Sequence, residues 1–362
     1  MDDKNDQRHF SIQWVGPEMN WKIYPATQFQ AHQERWQRLN LEGAASPLLD
    51  VAFIWPLLQT FGTGKEILAC YERDDEVVAM ALLSPRGRGA WETFQPSQAP
   101  LGAWIHKTGT TWPALLSSLI RKLPGFPLVL GVTQQDPDIV RRPLPSSNLK
   151  TLDYIQTARI SLHGNFDGYW NTRGKNLRQN LTKQRNKLAK EAVSTRLQVS
   201  TAESEVAQAI ADYGHIESAG WKAEVGTAIH PDNLQGQFYT RMLEAFCRQG
   251  AGRIYRYWYN DTIVAMDLCI EGNGSLVVLK TTYDEKIGNG TSPALLMRQE
   301  AFKPLFDDRR LKKIEFYGKA MEWHTKWSDE IRTMYHVNEY RWPAVLYLRN
   351  AMANSRATGQ LE

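Results

Sequence analysis

Two stretches, YERDDEVVAMALL at 71–83 and YWYNDTIVAMDLC at 257–269, decide how this chain is read. Each residue of the second stands 186 places after its partner in the first. Tyr71/Tyr257, Asp75/Asp261, Val78/Val264, Ala79/Ala265, Met80/Met266 and Leu82/Leu268 are identical pairs. Each copy reads as strand, acidic two-residue turn, strand, which is the pattern of a hairpin. Hairpins converge on similar turns, so duplication requires that the flanking order of elements repeat as well.

That order repeats. Around the second copy, strand patterns cover 194–200, 252–259, 262–271, 275–283, 312–317 and 331–338. Helical patterns cover 203–218, 232–249 and 292–303, with a short helical turn at 320–327. Around the first copy, helices fit 27–41, 47–60 and 112–123, and strands fit 66–73, 76–84, 89–95 and 127–133. Both halves run ααβββαβ. The pattern predicts a mixed α/β fold of two tandem halves, each a central mixed sheet flanked by helices. The Pro- and Ser-rich stretch 134–152 separates them. The halves are therefore placed at 1–150 and 151–350, with a small polar tail, 351–362, that frays.

Composition agrees with two globular units and excludes several classes. The 362 residues are enough for two domains. Hydrophobic residues make up 42% and charged residues 23%, which excludes wholesale disorder. Lys and Arg number 43 against 39 Asp and Glu, too balanced for a dedicated nucleic-acid binder. Cys70, Cys247 and Cys269 are too few for a disulfide framework and fit a reducing compartment. The opening MDDKNDQRHF lacks a secretory apolar run, and no apolar stretch is long enough to span a bilayer. A cytoplasmic location is expected. No residues have metal-ligand spacing, HExxH is absent, and no GxSxG elbow is present.

Five segments could carry chemistry. In KIGNGTSPALL (286–296) a glycine-bearing loop leads into a helix with Ser292 as N-cap and Pro293 at the first helical position. Backbone N–H groups there can cradle an anion; a plain strand-to-helix turn is the other reading. From Arg173 to Lys190 there are seven cations and no acid, with Leu177, Leu181 and Leu188 on one helical face. That is either a solvated face over a core stripe or a clamp for phosphates. Asp267 interrupts an apolar strand, and its repeat counterpart is Ala81. Such a carboxylate is costly to bury unless paired, so it is a desolvated proton acceptor or the partner of a nearby Arg. Glu315, Tyr317, His324 and Lys326 cluster after the loop. Trp221 and Lys222, with Gly226 and Thr227, read as a lid, a sugar platform or a hydrophobic plug.

The element order and the 286–296 loop together resemble the GNAT acyltransferase superfamily. Four stretches resemble one branch, the cellulose-biosynthesis-type acetyltransferases, relatives of the Fem-type peptidyltransferases. They are NLRQNLTKQRNKL (176–188), ESAGWKAEVGTAI (217–229), NGTSPALLM (289–297) and EWHTKWSDEIRTMYHVNEYR (322–341). The resemblance implies transfer of an acetyl or other acyl group from acyl-CoA, without a metal, to an amino sugar or glycan precursor in exopolysaccharide or envelope biosynthesis. It implies that the second half holds the donor through Lys286, Gly288, Asn289, Gly290, Thr291 and Ser292, and that the first half shapes the acceptor groove. Asp267 or Glu315 would take the acceptor's proton, and Tyr317 or His324 would protonate the leaving thiolate. Trp221, Lys222, Arg178 and Lys326 would touch the acceptor. Peripheral contact with the inner membrane face or with envelope-biosynthesis proteins follows from the same resemblance. The Fem relatives imply an alternative donor, charged tRNA, and a scaffold of a polysaccharide-assembly complex is a third reading. The chain departs from the family pattern at Glu285, where Gln or Arg is usual, and at His324, where Lys is common.

Overall fold

Both copies of the repeat fold as the hairpins their alternation predicts. The first is β2 (Ile67–Arg73) with β3 (Glu76–Pro85), and the second is β9 (Gly252–Tyr259) with β10 (Thr262–Gly272). Even their irregularity repeats. Tyr71 faces Ala79 while Glu72 faces Val77, so Val78 is an extra residue. Tyr257 faces Ala265 while Trp258 faces Ile263, so Val264 is the extra residue at the matching place. The computed structural model describes residues 19–73, 76–87, 89–218, 229–287 and 290–358.

The remaining strands are β1 (Asn20–Pro25), β4 (Ala90–Thr93), β5 (Trp104–His106), β6 (Val129–Gln135), β7 (Leu149–Ser161), β8 (Thr195–Ser200), β11 (Ser275–Tyr283), β12 (Lys313–Phe316) and β13 (Glu330–Tyr340). They form one mixed sheet in the order β1-β2-β3-β4-β6-β13-β7-β12-β11-β10-β9-β8, with β5 beside β3. The expected mixed α/β architecture is present. The two half-sheets are fused by crossing over at the centre. β7 follows the first half in sequence but lies against β12, and β13 ends the second half but lies against β6. β7 and β13 pair antiparallel with each other. The sequence division at 150/151 therefore falls inside a strand.

Helices cover both faces. On one, α1 (Gln33–Glu42), α2 (Val51–Phe61), α6 (Val206–Ser218) and α7 (Leu234–Arg248) share a continuous core with Met80, Leu82, Met266 and Leu268. Phe238 of α7 meets Phe53 and Phe61 of α2 at 5.5 and 5.7 Å between ring centres. The other face carries two cores. α3 (Trp112–Lys122) lies over the first half, and α4 (Phe166–Thr172), α5 (Lys175–Lys190) and α8 (Pro293–Phe302) over the second. Leu177, Leu181 and Leu188 are the buried residues of α5, as their spacing predicts. A short α9 (Glu322–Trp327) follows β12, and α10 (Pro343–Thr358) follows β13. α10 extends eight residues into the expected frayed tail, because 343–358 holds no glycine or internal proline to stop it.

The halves differ where a site could form. β4 runs parallel to β6 over Ala90–Glu92, and β11 parallel to β12 over Ser275–Val277. In the second half β11 continues along β10, with Leu279 as an extra residue opposite the Leu268/Cys269 step. At Leu82, the repeat counterpart of Leu268, the first half makes a far larger excursion. Phe94 N–H donates to the Leu82 carbonyl at 2.7 Å, the Leu82 N–H donates to the Ala103 carbonyl at 3.0 Å, and 95–102 lie between. That excursion reaches β6: the Gly102 N–H donates to the Thr133 carbonyl at 3.2 Å. The excursion thus bridges β3 and β6, while the end of β5 and the start of α3 still frame a cavity of about 470 Å³. A Cβ at Gly102 would stand 2.3 Å from Thr93 Oγ1 and 2.5 Å from the Thr133 oxygen. Gly102→Ala should therefore destabilise the chain by about 1–3 kcal/mol, the usual cost of overpacking. A urea titration should show a lower midpoint at unchanged slope; an unchanged midpoint would mean that the excursion can shift freely.

Candidate active site

The second half holds a cavity of about 420 Å³ at the end of β11. Its wall is set by the phase of the strand. Leu276 and Val278 point into the core beneath α8, and the extra residue Leu279 then shifts the alternation. Thr281 and Tyr283, rather than Lys280, consequently line the cavity. Lys280 turns to the other face, with its Nζ 5.8 Å from the centre of the Tyr239 ring. The N-terminus of α8 closes the far side through Ser292, Pro293 and Ala294.

Arg298 and Trp323 also line the cavity. Arg298, one turn and a half into α8, is 2% exposed, and its partner Asp267 is 1% exposed. The guanidinium Nε lies 3.4 Å from Asp267 Oδ2. The Thr281 hydroxyl completes a triangle, donating to Asp267 Oδ1 at 2.5 Å and accepting from Arg298 Nη2 at 2.7 Å. The other guanidinium face lies 4.1 Å from the Trp323 ring centre. Of the two readings of Asp267, the structure has the carboxylate partnered by a nearby Arg. Its burial is tolerated because Arg298 supplies the countercharge, and Ala81 needs no such partner under α3. The cost of burying Asp267 pointed to a nearby Arg, but not to Arg298 itself, which lies 31 residues away.

His324 stands beside Trp323 but is held as a neutral ring. Its Nδ1 accepts the Met321 N–H at 2.9 Å, which leaves the ring proton on Nε2. Burial, with the Arg298 charge nearby, pushes the imidazole down to about 4. At neutral pH it can donate a hydrogen bond but does not carry the charged form of a strong acid. Lys326, one turn of α9 away from Glu322, pairs with that carboxylate at 3.0 Å and is not among the cavity's lining residues.

Glu315 and Tyr317 point to the opposite face of β12 from Ile314 and Phe316. There they join a second cluster. Arg332 of β13 forks onto Asp136 with bonds of 2.9 and 2.7 Å and reaches Glu315 Oε2 at 2.8 Å. Tyr317 donates to Asp136 at 2.9 Å, and Lys313 Nζ lies 3.0 Å from Glu315. Burial alone would push the Asp136 carboxyl up, but the Arg332 guanidinium outweighs it and holds the group below the usual carboxylate range. Burial also keeps the Tyr317 phenol protonated, well above its ordinary pKa. The structure therefore divides the four candidate catalytic residues: Asp267 and His324 lie on the α8 side, Glu315 and Tyr317 on the other.

The loop before α8 begins with a single 3-10 turn, Glu285–Ile287, in which the Lys286 N–H donates to Asp284 at 2.9 Å. Gly288 and Asn289 lie outside the described residues, as do Trp221, Lys222, Gly226 and Thr227. Thr291 lines the cavity. Ser292 is the N-cap by position, but its side chain makes no cap bond; its N–H instead donates to Gln184 of α5 at 2.7 Å. Gly290 adopts φ +88°, and a Cβ there would find Lys187 Nζ at 3.5 Å. α5 thus brings Gln184 and Lys187 to the loop. Arg185 pairs with Glu300 of α8 at 2.5 Å, and Arg178 bonds the Arg173 carbonyl at 3.1 Å. Among the described residues, no group of His, Cys, Asp and Glu could hold a metal ion.

Residues 175–325 match the family model described as an acetyltransferase (GNAT) domain. Solved structures share the fold. One is the C-terminal domain of a candidate lysylphosphatidylglycerol synthetase from Agrobacterium fabrum, with TM-score 0.55 and 12% identity over 89% of this chain and 96% of that one. Another is FemX, with TM-score 0.57 and 9% identity over 87% and 97%. A third is a protein of unknown function from Bacteroides thetaiotaomicron, with TM-score 0.50 and 8% identity over 89% and 100%. At such identities the likeness is one of fold. No curated protein matches the sequence.

Two outcomes follow from this geometry. Asp267→Asn strands the Arg298 charge and should cost about 3–5 kcal/mol, and pairing it with Arg298→Met should restore much of the loss. Chemical denaturation of the single and double variants would measure this; an Asp267→Asn protein as stable as the parent would show that the pair holds nothing. The His324 ring should titrate near 4, against 6.5 when unfolded. Its contribution to stability is complete above about 6.5 and is lost as pH falls toward 4, because the unfolded chain then binds more protons. NMR of the ring protons would report the midpoint; a value near 6.5 would contradict the buried, neutral assignment.

Proposed function

We propose that the chain is an acyltransferase whose donor is an acyl-CoA, acetyl-CoA first among them, bound between β11 and α8. The observation that carries this reading is the cavity framed by the end of β11 and the start of α8, with the buried Arg298 in its wall. The first half has a cavity of about 470 Å³ at the end of β5 and the start of α3, but among the described residues no buried cation lines it. The bound donor supplies an activated thioester. The chain's own contribution is to receive and orient it. The Leu279 irregularity takes backbone groups out of the ladder beside the cavity, where they can point at a thioester carbonyl. Lys187, Lys286 and the N–H groups at the start of α8 receive the phosphate charge at the mouth. Glu285 opposes that charge, and the two lysines flank it.

In this reading Asp267 is a positioning residue that acts through Arg298. Glu315 and Tyr317 face the side shared with the first half, where the acceptor's amine or hydroxyl would approach. An amino sugar or glycan precursor as acceptor, and the cellulose-biosynthesis branch, rest on the resemblance of the four stretches. A second reading, aminoacyl transfer from charged tRNA, is favoured by the exposed Lys175, Lys183 and Lys190 of α5, the helix that reaches the loop.

Calorimetry with coenzyme A and filter binding with charged tRNA separate these readings. Binding of coenzyme A alone is expected. Binding of tRNA alone selects the second reading, and binding of neither leaves the scaffold. Gly290→Val should weaken coenzyme A binding roughly tenfold, since a side chain in left-handed backbone costs about 1–2 kcal/mol. The surroundings of Gly290 are open, so strain in the loop rather than a clash would be the cause.

A further inference from the structure

Six exposed large apolar side chains belong to the turn after α3 and to α10 with the residue before it. Phe126 and Leu128 stand in the turn after α3, Trp342 at the start of α10, and Tyr347, Leu348 and Met352 along it, with Tyr347 74% and Met352 63% exposed. The Phe126 and Trp342 rings lie 5.6 Å apart, and α10 packs against β13, next to β6. A cation is set into the apolar surface. The Arg341 guanidinium lies 3.9 Å from the Phe126 ring centre and 5.7 Å from that of Trp342, held by a 3.0 Å bond from Nη1 to the Ile120 carbonyl. Arg349 lies over Tyr340 at 5.7 Å, and Arg121 and Lys122 end α3 beside the same turn. From 341 to 360 the sequence holds Arg341, Arg349 and Arg356 and no acid.

We propose that this end of the molecule docks on an anionic lipid surface. Aromatic rings, aliphatic side chains and arginines without acids among them are the chemistry of an interfacial helix: the apolar groups enter the headgroup boundary and the guanidiniums meet phosphate. Charge decides against a second copy of the chain. A two-fold contact would bring the arginines of both copies into one interface with no carboxylate from 341–360 to pair them. Among the described residues no helix is long and apolar enough to cross a membrane, so the contact is with a surface. The inference stands independently of the acyl donor.

The test is co-sedimentation of the full chain with vesicles of phosphatidylcholine alone and with one-third phosphatidylglycerol. Binding is expected to the anionic vesicles and to weaken as salt is raised. Arg349→Gln should weaken it roughly fivefold, the worth of one basic residue at such a surface. Tyr347→Ser combined with Leu348→Ser should weaken it further, and both variants should keep the parent's melting temperature because the residues are exposed. Failure to bind anionic vesicles at low salt, equal binding to neutral ones, or variants that bind like the parent would overturn the proposal. So would a concentration-dependent dimer in sedimentation velocity that the Tyr347/Leu348 variant abolishes, which would assign the face to a second copy.

Discussion

Arg332 holds the two halves together at the line where their sheets meet. Its guanidinium lies between Asp136, at the end of the first half's last strand, and Glu315, on a strand of the second. Both carboxylates are 1% exposed, and the guanidinium holds the Asp136 carboxyl below the usual carboxylate range despite its burial. Such buried networks add little net stability over a well-packed apolar core, but they penalise any arrangement that leaves one member unpaired. Here the favoured arrangement is the pairing of β7 with β13, and that crossing makes one sheet of two half-sheets. The cavity, the covering helices and the exposed α10 all take their places from it.

The duplicated halves have diverged at a single point of the hairpin meander. Leu82 and Leu268 occupy matching positions, and opposite each the third strand departs from regular pairing. One extra residue, Leu279, does so in the second half and leaves room beside it. Eight residues, 95–102, do so in the first and turn back into the gap. Gly102 makes this possible, since only a residue without a Cβ fits between Thr93 and Thr133. Asp267 and Arg298 reflect the same divergence. With the gap open, a buried cation can line it, and an acid on the neighbouring strand balances that cation; under α3 the matching position is Ala81.

The sequence by itself determined what depends on neighbours along the chain. Alternation fixed the hairpins, the spacing of Leu177, Leu181 and Leu188 fixed the buried stripe of α5, and the Ser292–Pro293 pair fixed the start of α8. Repetition of these local patterns was enough to reveal two halves of mixed α/β architecture. The loop before α8 was legible for the same reason: it is contiguous. Only the tertiary structure decided what depends on residues far apart. The crossing of β7 and β13 leaves no local mark, because both strands alternate in the same way wherever they pair. Arg332 meets Asp136 across 196 residues, and Arg298 meets Asp267 across 31. Neither pairing has a spacing that could announce it. The strand alternation did put Glu315 and Tyr317 on one face and Ile314 and Phe316 on the other. Which face looks toward α8 was settled by packing, because a strand's period of two defines its sides but not what covers them.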